Sequence, residues 1–184
     1  MKNRRVTSVG IAICLAFVGC SDDGASSDST IESTTTSASS VAVSTELPIV
    51  DHVDDAIAAV EAALMGPQKY FEINATAQLV NLFVALEDGT AAQAWLYLDG
   101  ELTSDEPAPA KGGTFRAADL DIDSATIFSR LQIELPGATV ESFYIHGDGQ
   151  GAVQYGVLLT TSLGGALDVR LSSAGQILSS ETLN

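Results

Sequence analysis

The sequence predicts an α+β fold: two α-β-β-β repeats whose helices pack on one face of an antiparallel sheet. Three observations carry this. Two segments have apolar residues at helical spacing, each is followed by runs that alternate or are β-rich, and the runs are separated by tight-turn residues. The order helix, strand, strand, strand then occurs twice, over about 51–102 and 120–180.

The first helix is expected over 51–66, "DHVDDAIAAVEAALMG". Val53, Ile57, Val60 and Leu64 form one stripe, Asp51 is the candidate N-cap, and Gly66-Pro67 ends the segment. The second follows "LDIDSATIF". Asp123 can cap it, and Ile122 and Ile127 take the two positions of a hydrophobic staple. Phe128, Leu131 and Leu135 continue its face to Pro136-Gly137.

After the first helix come "KYFEINA", "LVNLFVAL" and "AQAWLYL", with "EDGT" and "DGEL" as turn-bearing pieces. After the second come "TVESFYI", "VQYGVLLTT" and "ALDVRL", separated by "GDGQG" and "SLGG" and closed by "SSAGQIL". Asp-Gly and Gly-Gly between such runs are hairpin signals. Val153, Tyr155, Val157 and Leu159 alternate, as do Leu167, Val169 and Leu171, so each strand offers one face to a core. A gapless shift of 76 lays 77–102 on 153–178, with Gly89 on Gly165 and Leu102 on Leu178, while the helices match at a shift of 71. "TSDEPAPAKGG" (103–113) divides the halves.

Pro136-Gly137, Tyr155-Gly156-Val157, Leu167-Asp168-Val169 and Gly175-Gln176-Ile177-Leu178 give the second half a pattern that resembles the PepSY module. The tandem resembles the beta-lactamase inhibitor protein fold. The resemblance implies a helix packed across a small antiparallel sheet in each unit. It also implies a role in peptidase inhibition or envelope regulation rather than catalysis. A single cystatin-like domain, with one longer sheet around a helix, is the alternative architecture.

The N-terminus carries an address. Lys2, Arg4 and Arg5 precede the ten apolar residues "VGIAICLAFV" (9–18). A membrane-spanning helix needs about 20 residues, so a shorter run with basic flanks reads as an export signal, residues 1–19. Phe17-Val18-Gly19-Cys20 resembles a bacterial lipobox, with Phe17 standing where that family usually has Leu. The resemblance implies that Cys20 becomes the first mature residue and carries a thioether diacylglycerol with palmitate-like chains. Such chains contribute ~0.8 kcal/mol per buried CH2. Residues 20–46 are then the lipidated cysteine and a Ser/Thr-rich tether too poor in large apolar residues to fold. Its mean reach is roughly 25–30 Å. The domain proper is 47–184.

Composition excludes several functions. The chain from Cys20 onward keeps five basic residues against 24 acidic ones, a formal charge of −19. Phosphate backbones and anionic headgroups are repelled, so nucleic acid is not an expected partner and membrane contact must come through the lipid. The two cysteines are Cys14, inside the signal, and Cys20, so neither a disulfide framework nor a thiolate metal site is expected. No G-x-S-x-G elbow occurs, and His52 and His146 are the only histidines. "DLDID" (119–123) fails as a calcium loop, because Ser124 and Arg130 stand where Gly and an acid are needed. No cofactor and no enzyme activity are expected. Asp99 and Glu101 are acids whose spacing selects no reaction.

One pair of side chains bears on binding. Trp95 and Tyr97 point to one side of their strand, Leu96 and Leu98 to the other. On an uncovered sheet face the aromatic pair would form a partner surface; on the helix side it would be core. The expected role is a lipid-anchored, non-catalytic protein-binding module on the extracytoplasmic side of the cell membrane, acting as a peptidase inhibitor or accessory factor. The alternative is a carrier of a small apolar or lipid ligand between helices and sheet.

Overall fold

A computed structural model describes residues 46–183. The expected signal peptide, Cys20 and nearly all of the tether lie outside the described residues. The described part is α+β: two short helices and one antiparallel sheet of ten strands.

The first helix, α1, runs Val53–Ala63. A 3₁₀ turn at Val50–His52 precedes it and moves its start beyond the expected Asp51 cap. Asp51 instead accepts a hydrogen bond from Ser124 Oγ at 2.6 Å, tying the starts of the two helices together. The second helix, α2, runs Ser124–Glu134 and keeps its expected cap. Asp123 Oδ1 accepts from the Thr126 amide at 3.0 Å and Oδ2 from the Thr126 hydroxyl at 2.7 Å. These bonds satisfy a helix-end donor that would otherwise lack a partner and hold the Asp123 carboxyl below the usual carboxylate range.

The strands after α1 are β1 (Lys69–Ala75), β2 (Leu79–Leu86), β3 (Ala91–Leu98) and β4 (Glu101–Ser104). Two-residue pieces β5 (Ala108–Pro109) and β6 (Phe115–Arg116) follow on the way to α2. After α2 come β7 (Ala138–Gly147), β8 (Val153–Thr161), β9 (Ala166–Leu171) and β10 (Ile177–Leu183). Each half therefore has a fourth strand beyond the expected three. Asp99 and Gly100, both at positive φ, make a two-residue hairpin that returns β4 along β3.

The sheet order is β10-β9-β8-β7-β1-β2-β3-β4, with β5 on β3 and β6 on β1. The first long strands of the two halves pair directly, Ile73 with Ile145 and Ala75 with Phe143, so a single sheet crosses the domain. A row of cross-strand neighbours runs Leu171, Tyr155, Ile145, Ile73, Leu82, Trp95. The next runs Val169, Val157, Phe143, Ala75, Val80, Tyr97, Leu102. Both rows belong to one core with Val53, Ala56, Ile57 and Val60 of α1 and Ile127, Phe128 and Leu131 of α2. Phe128 meets Phe143 edge-on, with ring centroids 6.4 Å apart, and seats α2 on the sheet. Each such aliphatic or aromatic side chain, fully buried, contributes about 1.5–3 kcal/mol.

The gapless shift of 76 does not survive this register. It would lay Val80, Leu82 and Val84 on Gly156, Leu158 and Thr160. The core-facing residues of β8 are Tyr155, Val157 and Leu159, one place earlier. With a side-chain period of two, a one-residue offset exchanges the faces of a strand.

Candidate functional site

The sheet face opposite the core carries the remaining alternate residues. One row runs Arg170, Gly156, Tyr144, Asn74, Asn81, Leu96, Thr103; the next runs Gln154, His146, Glu72, Phe83, Ala94. Among the described residues no helix covers this face.

Its centre is ordered by side-chain hydrogen bonds. Gly156 lies directly across from Tyr144, and the phenol ring rests on the glycine, where a Cβ would sit 2.6 Å from Tyr144 Cε2. This lets the ring reach β9, where its hydroxyl donates to Asp168 Oδ1. Burial and the Asp168 carboxylate push the Tyr144 hydroxyl well above its ordinary value. The hydroxyl therefore keeps its proton and serves as a donor. His146 stacks on Tyr144, with centroids 5.6 Å apart and planes 18° apart. His146 Nε2 lies 3.0 Å from Gln154 Oε1, which also accepts from Arg170 Nη2.

A β-bulge shapes one end. Tyr70 pairs with Val84 and Glu72 with Phe83, so Phe71 is the extra residue and both Phe71 and Glu72 leave the core side. The chain between β5 and β6 then crosses the face above them. Ala110 N donates to Thr90 O at 3.0 Å on one side, and Gly113 bridges to Gly147 on the other. Gly113 and Gly147 pack backbone to backbone, a Cβ on Gly147 falling 2.7 Å from Gly113 C, so neither place takes a larger residue. Under this strap lies a cavity of about 330 Å³ bounded by Phe71, Phe83, Ala92, Glu72, Lys111 and His146.

The expected site residues are distributed differently. Trp95 and Tyr97 stand opposite Leu82 and Val80, on the helix side, and pack against the core; Leu96 and Leu98 take the open face. Their strand's period of two left both arrangements open, and pairing with the buried side of β2 decides between them. Asp99 and Glu101 are exposed at the β3–β4 hairpin. His52 is a surface residue 3.7 Å from Asp55. Asp148 organises the 147–151 turn, its Oδ1 accepting from the amides of Gln150 at 2.7 Å and Ala152 at 2.9 Å. Those bonds hold its carboxyl below the usual range.

Tyr144, Gln154, Asp168, Arg170 and Glu72 were not singled out from the sequence. Their signal was there as polar pairs two apart in successive strands: Glu72 and Asn74, Tyr144 and His146, Asp168 and Arg170. Among the described residues no group of three or more His, Cys, Asp or Glu is placed to hold a metal ion, and no helix is long and apolar enough to cross a membrane. The arrangement presents side chains held by hydrogen bonds on a sheet face that no helix covers.

No family model, curated protein or solved structure matches the chain.

Proposed function

We propose that this chain is a bacterial cell-envelope lipoprotein, anchored through Cys20 on the extracytoplasmic side of the membrane. Its domain is a non-catalytic protein-binding module, an inhibitor of or accessory to an envelope peptidase or other envelope protein. The observation that carries this reading is the open face: eight strands wide, uncovered by helix, with Tyr144, His146, Gln154, Asp168 and Arg170 locked to one another. Ordering these side chains before binding lowers the entropy lost on association.

The domain is proposed to be a tandem of PepSY-like units, each extended by a fourth strand. Support comes from equivalent positions. Ala56, Ile57 and Val60 correspond to Ile127, Phe128 and Leu131 at a shift of 71, all buried. The bulges at Phe71 and Glu141 correspond at a shift of 70. Val80, Leu82 and Val84 correspond to Tyr155, Val157 and Leu159 at a shift of 75.

The carrier reading has less support. It needs an apolar cavity between helix and sheet, but Ala56 and Val60 have no exposed surface; the roomier cavity beside the start of α1, about 550 Å³, is edged by His52, Asp55, Gln78 and Asp99, and the one beside α2 is about 180 Å³. Ligand pockets begin at roughly 300 Å³.

Two measurements test the proposal. Cys20→Ala should release the protein from the membrane fraction; equal membrane association of mutant and parent refutes the anchor. A photo-crosslinking amino acid placed in living cells at Leu96, on the open face, should capture one defined protein. The same probe at Ala58, on the outer side of α1, should not. No adduct at Leu96, or equal adducts at both places, refutes the module.

A further inference from the structure

We infer that the open-sided cavity along the strap is the anchor pocket of the open face, taking one aromatic side chain of a partner polypeptide that carries an adjacent basic residue. This rests on the protein-binding reading and names the chemistry of its partner.

The aromatic half follows from the walls. Phe71 and Phe83 flank the cavity and Ala92 leaves its floor shallow. Ring edges packed against ring faces are favoured over aliphatic contact alone. A volume of about 330 Å³ is at the lower end of the range for small ligands, which suits a single side chain. The position of Phe71 comes from the β1 bulge and that of the strap from the Gly113–Gly147 crossing, so the pocket is part of the backbone design and not a gap between mobile side chains.

The basic half follows from charge. Residues 46–183 hold 20 acidic and five Lys or Arg residues, and no Lys or Arg among them lies within 4.0 Å of a carboxylate. The negative field of the domain is therefore left for a partner to neutralise, and it steers cationic ligands. Glu72 is the carboxylate at the pocket, next to His146 on β7. Lys111 on the strap offers a donor to a peptide carbonyl.

The probes are N-acetyl-Phe-Arg-amide, N-acetyl-Ala-Arg-amide and N-acetyl-Phe-Glu-amide, titrated into the full chain and followed by amide NMR. The Phe-Arg probe should give saturable shifts at Phe71, Phe83 and Lys111. The Ala-Arg and Phe-Glu probes should each bind at least ~tenfold more weakly, as expected when an anchor or its charge partner is lost. Ala92→Leu fills the pocket and should abolish binding. Phe83→Ala, which removes a wall instead, should weaken the Phe-Arg probe towards the Ala-Arg value. Glu72→Gln should narrow the preference for Arg over Glu. Equal binding of Phe and Ala probes, shifts centred elsewhere, or no saturable shift overturns the inference. A Leu96 crosslink that persists in A92L overturns the pocket and leaves the binding module standing. Dipeptide binding without any crosslinked protein leaves the pocket and removes the module.

Discussion

Placing a methyl group at Gly156 tests the construction of the open face most directly. The glycine backbone is extended within β8, so alanine fits its φ and ψ. The obstacle is Tyr144. An added Cβ would lie 2.6 Å from Cε2, against an ordinary carbon contact of ~3.5–4.0 Å. Cζ and the hydroxyl oxygen would lie closer still, so the ring must move by about 1.5 Å, which breaks its hydrogen bond to Asp168. A hydrogen bond to a charged group is worth ~1.5–3 kcal/mol, and the half-exposed setting puts this one at the lower end. Against that, Gly→Ala at a compatible place stabilises by ~0.4–1 kcal/mol through the unfolded chain. The net expectation for Gly156→Ala is a loss of about 1 kcal/mol. In a Tyr144→Ala background the same change should stabilise by ~0.4–1 kcal/mol, giving a coupling of about 1.5–2 kcal/mol. Urea unfolding followed by the single Trp95 reads this cycle. Equal destabilisation in both backgrounds would show that Tyr144 does not rest on Gly156. In the single variant the Tyr144 hydroxyl should also fall back towards its ordinary pKa, measurable by alkaline titration against Tyr144→Phe.

Gly175→Ala should cost ~2–4 kcal/mol, because φ is +74° and the Cβ would meet the α2 backbone 2.8 Å away at Ile127 Cα; a change within 0.5 kcal/mol would refute this packing. Asp123 and Asp148 are both more acidic in the fold than in the unfolded chain, so their stabilisation is present above the unfolded value of ~3.9 and is lost as pH falls through their folded values. Melting curves from pH 6 to 2 should fall less steeply for D123N and D148N than for the parent, and parallel curves would contradict the assignment. Trp95 Nε1 is buried without a hydrogen-bond partner, so Trp95→Phe should stay within ~1 kcal/mol of the parent while Trp95→Ala costs ~2–4 kcal/mol by equilibrium unfolding. A neutral Trp95→Ala would return that residue to the surface.

The candidate site was only half legible in the chain. Glu72, Tyr144, Asp168 and Arg170 are visible as polar members of alternating strands, yet nothing local makes them neighbours. They meet because β1 pairs with β7, β7 with β8 and β8 with β9, joining residues up to about a hundred places apart in sequence. The strap pocket was hidden for a second reason. The sequence marks 103–113 as a loop through its Pro and Gly content, but the value of Gly113 lies in its approach to Gly147, a contact between distant segments.

Local physics determined the elements themselves. The α2 stripe, its Asp123 cap, the Pro136-Gly137 stop and the alternation in β8 and β9 act over a few residues and can be read from spacing alone. Only the tertiary structure decided how those elements share their faces. A strand's period of two defines two sides without saying which one is covered, so Trp95 and Tyr97 became core only when β3 paired with the buried side of β2. Asp51 left its expected cap because a 3₁₀ turn and Ser124 offered it another partner. The joining of both halves into one sheet rests on four cross-strand pairs between β1 and β7. Backbone hydrogen bonding between strands depends little on side-chain identity, so that pairing is set by how the two helix-covered faces merge into one core.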